Sequence, residues 1–216
     1  MKIVVFDLDG TLVDSFEDIA CAANHALKTF GFSTHSTAAV KAQVGCGLKN
    51  LIRNLLPIPD HPLLPQVVDE VKHYYSRHPT DFSCLYPGAL EGLEDLGRKD
   101  IIRAVLSNKA DPLVQQIAAN LNFASHLEAI VGHREGHPLK PDPASLLEIL
   151  ESFSLRPSDC LLVGDGRPDF ELAEKSGVDF CAATYGIVPQ SVWAELGVTR
   201  TIDRLPDLLT FLPERR

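Results

Sequence analysis

Two aspartates separated by a single residue, Asp7 and Asp9, follow the apolar run Ile3 to Phe6 in the segment Phe6-Asp7-Leu8-Asp9-Gly10-Thr11. If that run is a strand, alternation sends both carboxylates to one face. Like charges held that close stay ionised only with a cation between them, and otherwise one keeps a proton. Such a pair at the carboxyl end of a strand marks a place for chemistry, because ligands of open α/β sheets bind at that edge. Gly10 lets the backbone turn sharply there and frees amides for an anion. Taken alone, the segment also fits a capping Asp in a turn.

Three further clusters carry reactive groups. Ser107-Asn108-Lys109 follows the apolar run Ile101 to Leu106, Lys140-Pro141-Asp142-Pro143 precedes a helical pattern, and Gly164-Asp165-Gly166-Arg167-Pro168-Asp169 follows Cys160 to Val163. Singly, each has an ordinary reading. Lys140 fits an exposed lysine, Ser107 and Asn108 a strand-end turn, Asp165 and Asp169 the start of a helix. Together with Asp7 and Asp9 they offer a nucleophile, an acid, hydroxyl and amide donors, an ammonium and further carboxylates. That inventory fits phosphoryl transfer.

The elements that must position these groups alternate. Short β-rich runs at Ile3 to Phe6, Ile101 to Leu106, Ala129 to Val131, Cys160 to Val163 and Asp179 to Ala183 are separated by helical patterns. Phe16, Ile19, Ala20, Ala23, Ala26, Leu27 and Phe30 follow the helical period, with Ser15 as a capping residue and Gly31 as a stop. Asp111-Pro112 and Asp142-Pro143 each place an acid before a proline that opens a helix. Alternation of this kind predicts a mostly parallel, doubly wound α/β sheet. Between the first and second strands the chain is all helix, over Ala38 to Val44, Leu48 to Leu56 and Leu64 to Tyr75. A structureless connection of that length is improbable in a compact domain, so the interval is expected to be an inserted helical subdomain. It should leave near Val13 to Ser15 and return near Tyr86, giving residues 15–85 as cap and residues 1–14 and 86–216 as core.

Composition narrows the partners. The chain has 216 residues, 45% of them apolar, and a formal net charge of −9. That charge, without any compensating basic run, argues against nucleic acid and anionic membrane surfaces. A small anionic substrate remains possible, since a few local cations can reverse the sign within one cleft. No signal-peptide core precedes Asp7, and no stretch approaches a membrane span. Five scattered cysteines without C-x-x-C spacing read as buried or semi-buried thiols in a reducing compartment, the cytoplasm. His133 and His137 have the spacing of a helical metal pair, but Gly132, Gly136 and Pro138 place them in a loop. Gly45-x-Gly47 lies between helices and not after a strand, which argues against a dinucleotide-binding fingerprint.

DLDGT, SNK, KPDP and GDGRPD, in that order, resemble the four motifs of the haloacid-dehalogenase-like superfamily of phosphohydrolases. The resemblance spans most of the chain and implies a Rossmann-like core with a helical cap inserted after the first motif. It further implies that Asp7 attacks the substrate phosphorus to give an aspartyl-phosphate, while Asp9 protonates the leaving oxygen and then activates water. Asp7, the main-chain carbonyl of Asp9 and Asp165 would bind Mg²⁺, with Asp169 as an outer ligand or an orienter of Lys140. Ser107, Lys140 and the Asn108 amide would hold the phosphoryl oxygens.

The acid at Asp9 fits ester cleavage over carbon–halogen or carbon–phosphorus chemistry. Asp18-Ile19 stands where similar mutases carry a histidine, and Asp14-Ser15 with Asp18-Ile19, Tyr86-Pro87-Gly88, Ser107-Asn108-Lys109 and Thr184-Tyr185-Gly186 resemble the phosphoglycolate phosphatase branch. The expected substrate is a small anionic phosphate ester of the 2-phosphoglycolate type. Pyrophosphate, a nucleotide, a sugar phosphate, phosphomutase chemistry and a non-catalytic phosphate-binding role stand as alternatives. Lys49 and Arg53, four apart on the helix after Gly47, are expected to share a face toward the cleft and to read the far end of the substrate.

Overall fold

Four residues, all fully buried, make up β1 (Ile3–Phe6), and such a run suits a strand covered on both faces. The structure, a computed structural model, describes residues 1–211. After β1 come β2 (Val13–Asp14), α1 (Phe16–Thr29), α2 (Thr37–Lys41), α3 (Leu48–Leu55), α4 (Leu64–Arg77) and β3 (Cys84–Leu85). The chain continues through α5 (Ala89–Arg98), β4 (Ile102–Ala110), α6 (Asp111–Asn120), β5 (Ala129–His133) and α7 (Ala144–Ser152). It ends with β6 (Cys160–Gly164), α8 (Arg167–Ser176), β7 (Asp179–Ala183), α9 (Gln190–Glu195) and β8 (Thr201–Ile202).

Six strands form one parallel sheet in the order β5-β4-β1-β6-β7-β8. The chain therefore winds outward from β1 in one direction through β4 and β5, then in the other through β6, β7 and β8. That reversal opens a crevice at the carboxyl ends of the central strands. Alternation in β1 divides the core. Val4 and Phe6 pack with Leu93, Leu96, Val114 and Ile117 on one face, while Ile3 and Val5 pack with Leu146, Ile149, Leu150 and Leu172 on the other.

A third apolar cluster is drawn from α1 to α4, with Ala23, Leu27, Ile52, Val67 and Val71 at its centre. Its two connections to the sheet are not helical throughout, as the sequence led us to expect. β2 and β3 pair antiparallel, Val13 opposite Leu85 and Asp14 opposite Cys84. Two-residue strands some seventy positions apart leave no periodicity to read. Asp18, almost fully buried in α1, ties this crossing down, accepting the Phe82 N–H at 3.1 Å and the Ser83 N–H at 2.8 Å, as well as the Ser83 hydroxyl.

Several local expectations shift. Ser15 precedes α1, but its backbone (φ −112°, ψ 5°) is not the extended form of a capping residue, and its hydroxyl goes to Asp9. The Asp111 carboxylate reaches across to the Gly132 N–H at 2.8 Å, while Asp142 caps the Ala144 N–H at 3.0 Å, starting α7 one residue later than Pro143 suggests. His133 closes β5 and is no loop residue. Of the cysteines, Cys160 and Cys181 are buried and Cys21 partly so, whereas Cys46 and Cys84 are exposed. Among the described residues no helix is long and apolar enough to cross a membrane.

Replacing Asp18 with Ala strands the N–H groups of Phe82 and of the buried Ser83 without their acceptor. It should destabilise the protein by about 2–3 kcal/mol in urea titration, with Asp18→Asn losing less. A loss below about 0.5 kcal/mol would show that Asp18 does not hold the crossing.

Candidate active site

Parallel register brings the motif residues level with one another. Phe6 lies opposite Val105 on one side and Val163 on the other, and the Asp7 N–H donates to the Val163 carbonyl at 2.9 Å. Asp7 is therefore level with Leu106 and Gly164, and Ser107 and Asp165 follow one residue further along, so all three stand at the carboxyl edge. Asp169 arrives from the first turn of α8, where its carboxylate accepts the Gly166 N–H at 3.1 Å. Lys140 arrives from the loop before α7.

Lys140 is the central cation. Its ammonium donates to the Asp169 carboxylate at 2.7 Å and to the Leu106 carbonyl at 3.0 Å, and pairs with the Asp7 carboxylate at 2.8 Å. Burial alone would lower its pKa, but the carboxylates of Asp169 and Asp7 outweigh that and push it up. Asn108 fixes the loop that carries it: its side chain accepts the Lys140 N–H at 2.7 Å and donates to the Lys140 carbonyl and, at 2.8 Å, to the Gly45 carbonyl between α2 and α3. The Asn108 side-chain amide is thus committed to backbone, which leaves its main-chain N–H for a phosphoryl oxygen. Ser107 accepts the Lys109 N–H at 3.2 Å and keeps its own hydroxyl proton for another acceptor.

Asp165 is held on both oxygens, by the Thr11 hydroxyl at 3.0 Å and the Ile187 N–H at 2.8 Å. Two backbone segments press on it closely enough to exclude a Cβ. A methyl group at Gly10 would come within 2.1 Å of the Asp165 carboxylate, and one at Gly186 within 2.2 Å. One carboxylate oxygen each from Asp7, Asp165 and Asp169 lies within 4.8 Å of the others. The consequence is electrostatic. Burial, then the charges of Asp169 and Asp9, raise the Asp7 carboxyl from its ordinary 3.8 to about 7 despite Lys140. Burial, with Asp7 and Asp169 nearby, pushes Asp165 well up too. An all-oxygen, hard donor set with surplus negative charge suits Mg²⁺, and among the described residues no cysteine or histidine joins it.

The Asp9 carboxylate belongs to a separate arrangement. It takes the Ser15 hydroxyl and the Lys109 ammonium, and that ammonium also donates to the Tyr75 hydroxyl of α4 at 2.9 Å. Neither the Lys109 nor the Tyr75 contact was foreseen, though both residues stand in segments the sequence singles out. Only the closure of α4 over the sheet edge brings them together. Lys49 lies exposed on the rim of the cleft. Arg53 does not join it: the expected shared face fails because Arg53 turns to Asn50 at 3.3 Å and toward Asp60 at 3.9 Å, outside the cleft lining. A helical offset of four residues overshoots one turn by about 40°, and the edge of α3 that meets the cleft carries Leu48, Lys49 and Leu51 but not Arg53. Arg167, exposed at the start of α8, also lies outside the lining. The cleft itself measures about 680 Å³, with the carboxylates at its floor and Val44, Leu48, Leu51, Val68 and Val71 on its walls.

A sequence model of haloacid dehalogenase-like hydrolases matches residues 4–183. The chain is 32% identical to phosphoglycolate phosphatase 1 of Pseudomonas aeruginosa, over 96% of this chain and 78% of that one. It is also 32% identical to a phosphoglycolate phosphatase of Aquifex aeolicus, over 87% of each. The crystal structure of a predicted phosphoglycolate phosphatase from Haemophilus somnus superposes with a TM-score of 0.90 at 28% identity, covering 98% of this chain and 97% of that one.

The raised Asp7 carboxyl makes a stability prediction with a definite sign. Its native value lies above its unfolded one, so the native state holds a proton that the unfolded chain has lost, and metal-free stability falls as pH rises from about 4 to about 7. In EDTA at pH 8, Asp7→Asn should be more stable than the wild type. At pH 5 the gain should shrink to under half. An equal gain at both pH values, or none, would mean that Asp7 is not a strained carboxylate.

Proposed function

The chain belongs to the haloacid dehalogenase-like hydrolases, and from that premise we propose that it is a Mg²⁺-dependent phosphatase of small phosphomonoesters, using Asp7 as nucleophile. The observation that carries this reading is the Lys140 ammonium bridging Asp7 and Asp169 beside Asp165, with Ser107 at the same sheet edge. Asp7, Asp165 and the main-chain carbonyl of Asp9 would hold the cation, with Asp169 behind them. When bound, the ion offsets the charge of the carboxylates and of the incoming phosphate.

The residues then divide the work. A carboxylate oxygen of Asp7 attacks phosphorus, the bond from phosphorus to the bridging oxygen breaks, and the leaving oxygen takes its proton from Asp9. In the second half, water gives a proton to Asp9 and attacks the aspartyl-phosphate, releasing inorganic phosphate and restoring Asp7. Lys140 and Ser107, with the Asn108 main-chain N–H, donate to the equatorial oxygens, where the charge of the transition state gathers. Residues 15–85 act as the cap and residues 1–14 and 86–216 as the core; the last five of these lie outside the described residues.

For the substrate, the names of the Pseudomonas and Aquifex relatives support a 2-phosphoglycolate-type ester. A second reading has an observation of its own. A cleft of about 680 Å³ with an apolar cap wall has room beyond a two-carbon leaving group, which favours a larger phosphomonoester. The free cysteines and the absence of a membrane-crossing helix among the described residues support a cytoplasmic setting.

A panel of phosphate esters, assayed for released phosphate with Mg²⁺, tests the reading. Wild-type enzyme should turn over at least one of them, EDTA should abolish the activity, and Asp7→Asn should lower kcat by at least about a thousandfold. Undiminished turnover in EDTA would remove the cation, and activity of Asp7→Asn within about tenfold of wild type would remove Asp7 as nucleophile.

A further inference from the structure

Lys109 is a buried charge at the cleft for which the phosphoryl chemistry has no task. Its side chain is 7% exposed, lines the cleft, and holds the Asp9 carboxylate on one side and the Tyr75 hydroxyl, at 2.9 Å, on the other. The Tyr75 ring centroid lies 4.9 Å from the ammonium. Asp9 and Tyr75 engage two of its three N–H groups.

Resting on the phosphatase reading above, we propose that Lys109 receives a carboxylate carried by the leaving group next to the bridging oxygen, and so selects esters of the 2-phosphoglycolate type. Distance supports this. To take a proton from Asp9, the leaving oxygen must come within about 3 Å of that carboxyl group. Lys109 touches the same carboxyl group, which puts the leaving oxygen within roughly 6 Å of its ammonium. In 2-phosphoglycolate a single methylene separates the bridging oxygen from the carboxylate, so the carboxylate falls inside that gap.

Charge supports it as well. A carboxylate brought to a cleft floor that already holds Asp7, Asp165 and Asp169 needs a local cation. Lys140 is engaged by Asp169, Asp7 and the Leu106 carbonyl and serves the phosphoryl oxygens, not the far end of the leaving group. Lys49 sits exposed on the rim, where water screens it. The buried ammonium of Lys109 acts at lower local dielectric, where one charge–charge contact counts for more. The other lysine of the cap lining, Lys72, is exposed and paired with Asp69, and so is screened as Lys49 is.

The test compares kcat/KM for 2-phosphoglycolate and for 2-hydroxyethyl phosphate, which has a neutral end of similar size, in wild type and in Lys109→Gln. Glutamine still offers a donor to Asp9 and Tyr75 but no charge. A lysine that merely orients Asp9 would lower kcat for both esters alike and leave their ratio where it was. The proposal expects the ratio of carboxylate to neutral ester to fall by about 10- to 100-fold, mostly through KM, with Lys109→Arg recovering part of it. A ratio unchanged within about threefold overturns the proposal. Should Lys109→Gln fail to fold, the wild type decides alone. It must prefer 2-phosphoglycolate by at least about tenfold and lose that preference when a further methylene moves the carboxylate away; no preference overturns the proposal. A wild type inactive on both of these and on every other ester instead sinks the phosphatase reading itself.

Discussion

Four carboxylates and two ammoniums are buried at one edge of the sheet, and the imbalance between them governs the rest of the structure. Asp7, Asp9, Asp165 and Asp169 are each at most 8% exposed, while only Lys140 and Lys109 answer them. Left to themselves such groups would take up protons, which is what the raised Asp7 and Asp165 carboxyl groups express. A fold that keeps the cluster in place must hold each carboxylate through its neighbours. Thr11 and the Ile187 N–H hold Asp165, the Gly166 N–H holds Asp169, and Asn108 anchors the loop that delivers Lys140. The same imbalance creates the function. A site unfavourable to itself becomes favourable once a divalent cation and a phosphoryl group enter together.

The helices over the sheet edge take part in that balance. Tyr75 on α4 shares the ammonium of Lys109 with Asp9, Gly45 offers its carbonyl to Asn108, and Ser15 at the foot of α1 donates to Asp9. Each contact joins the helical insertion to a residue of the reacting edge. Asp18 fixes the crossing through which the insertion returns, so its position depends on hydrogen bonds as well as on the apolar cluster of α1 to α4. Movement of these helices would therefore change the surroundings of Asp9 before it disturbed Asp7 or Lys140.

The parts of this arrangement written in local pattern were legible in advance. An apolar run ending in Asp-x-Asp-Gly states both a strand and the chemistry at its tip, and the alternation of runs and helical stretches states a parallel sheet. Parallel register then brings Ser107 and Asp165 to within one residue of the level of Asp7. What escaped reading depends on three-dimensional closure. Lys109 stood in a motif of evident interest but without a partner, because nothing local says that α4 brings Tyr75 over it. Arg53 looked like a partner of Lys49, because spacing along a helix does not reveal which edge of its apolar stripe faces a cleft. The strands β2 and β3 are too short to carry a period, and the hydroxyl of Ser15 fits a helix cap until Asp9 is seen beside it.

The central claim is that the strained carboxylate of Asp7 takes the phosphoryl group, and covalent trapping tests it most directly. Enzyme mixed with Mg²⁺ and a substrate ester, quenched in acid during turnover and digested, would be searched by mass spectrometry for a phosphorylated acidic side chain. A phosphoryl group on Asp7, removed by hydroxylamine and absent when substrate is withheld, is the predicted result. Turnover with the phosphoryl group on another residue, or with no covalent adduct under quench conditions that preserve an acyl phosphate, would contradict the account.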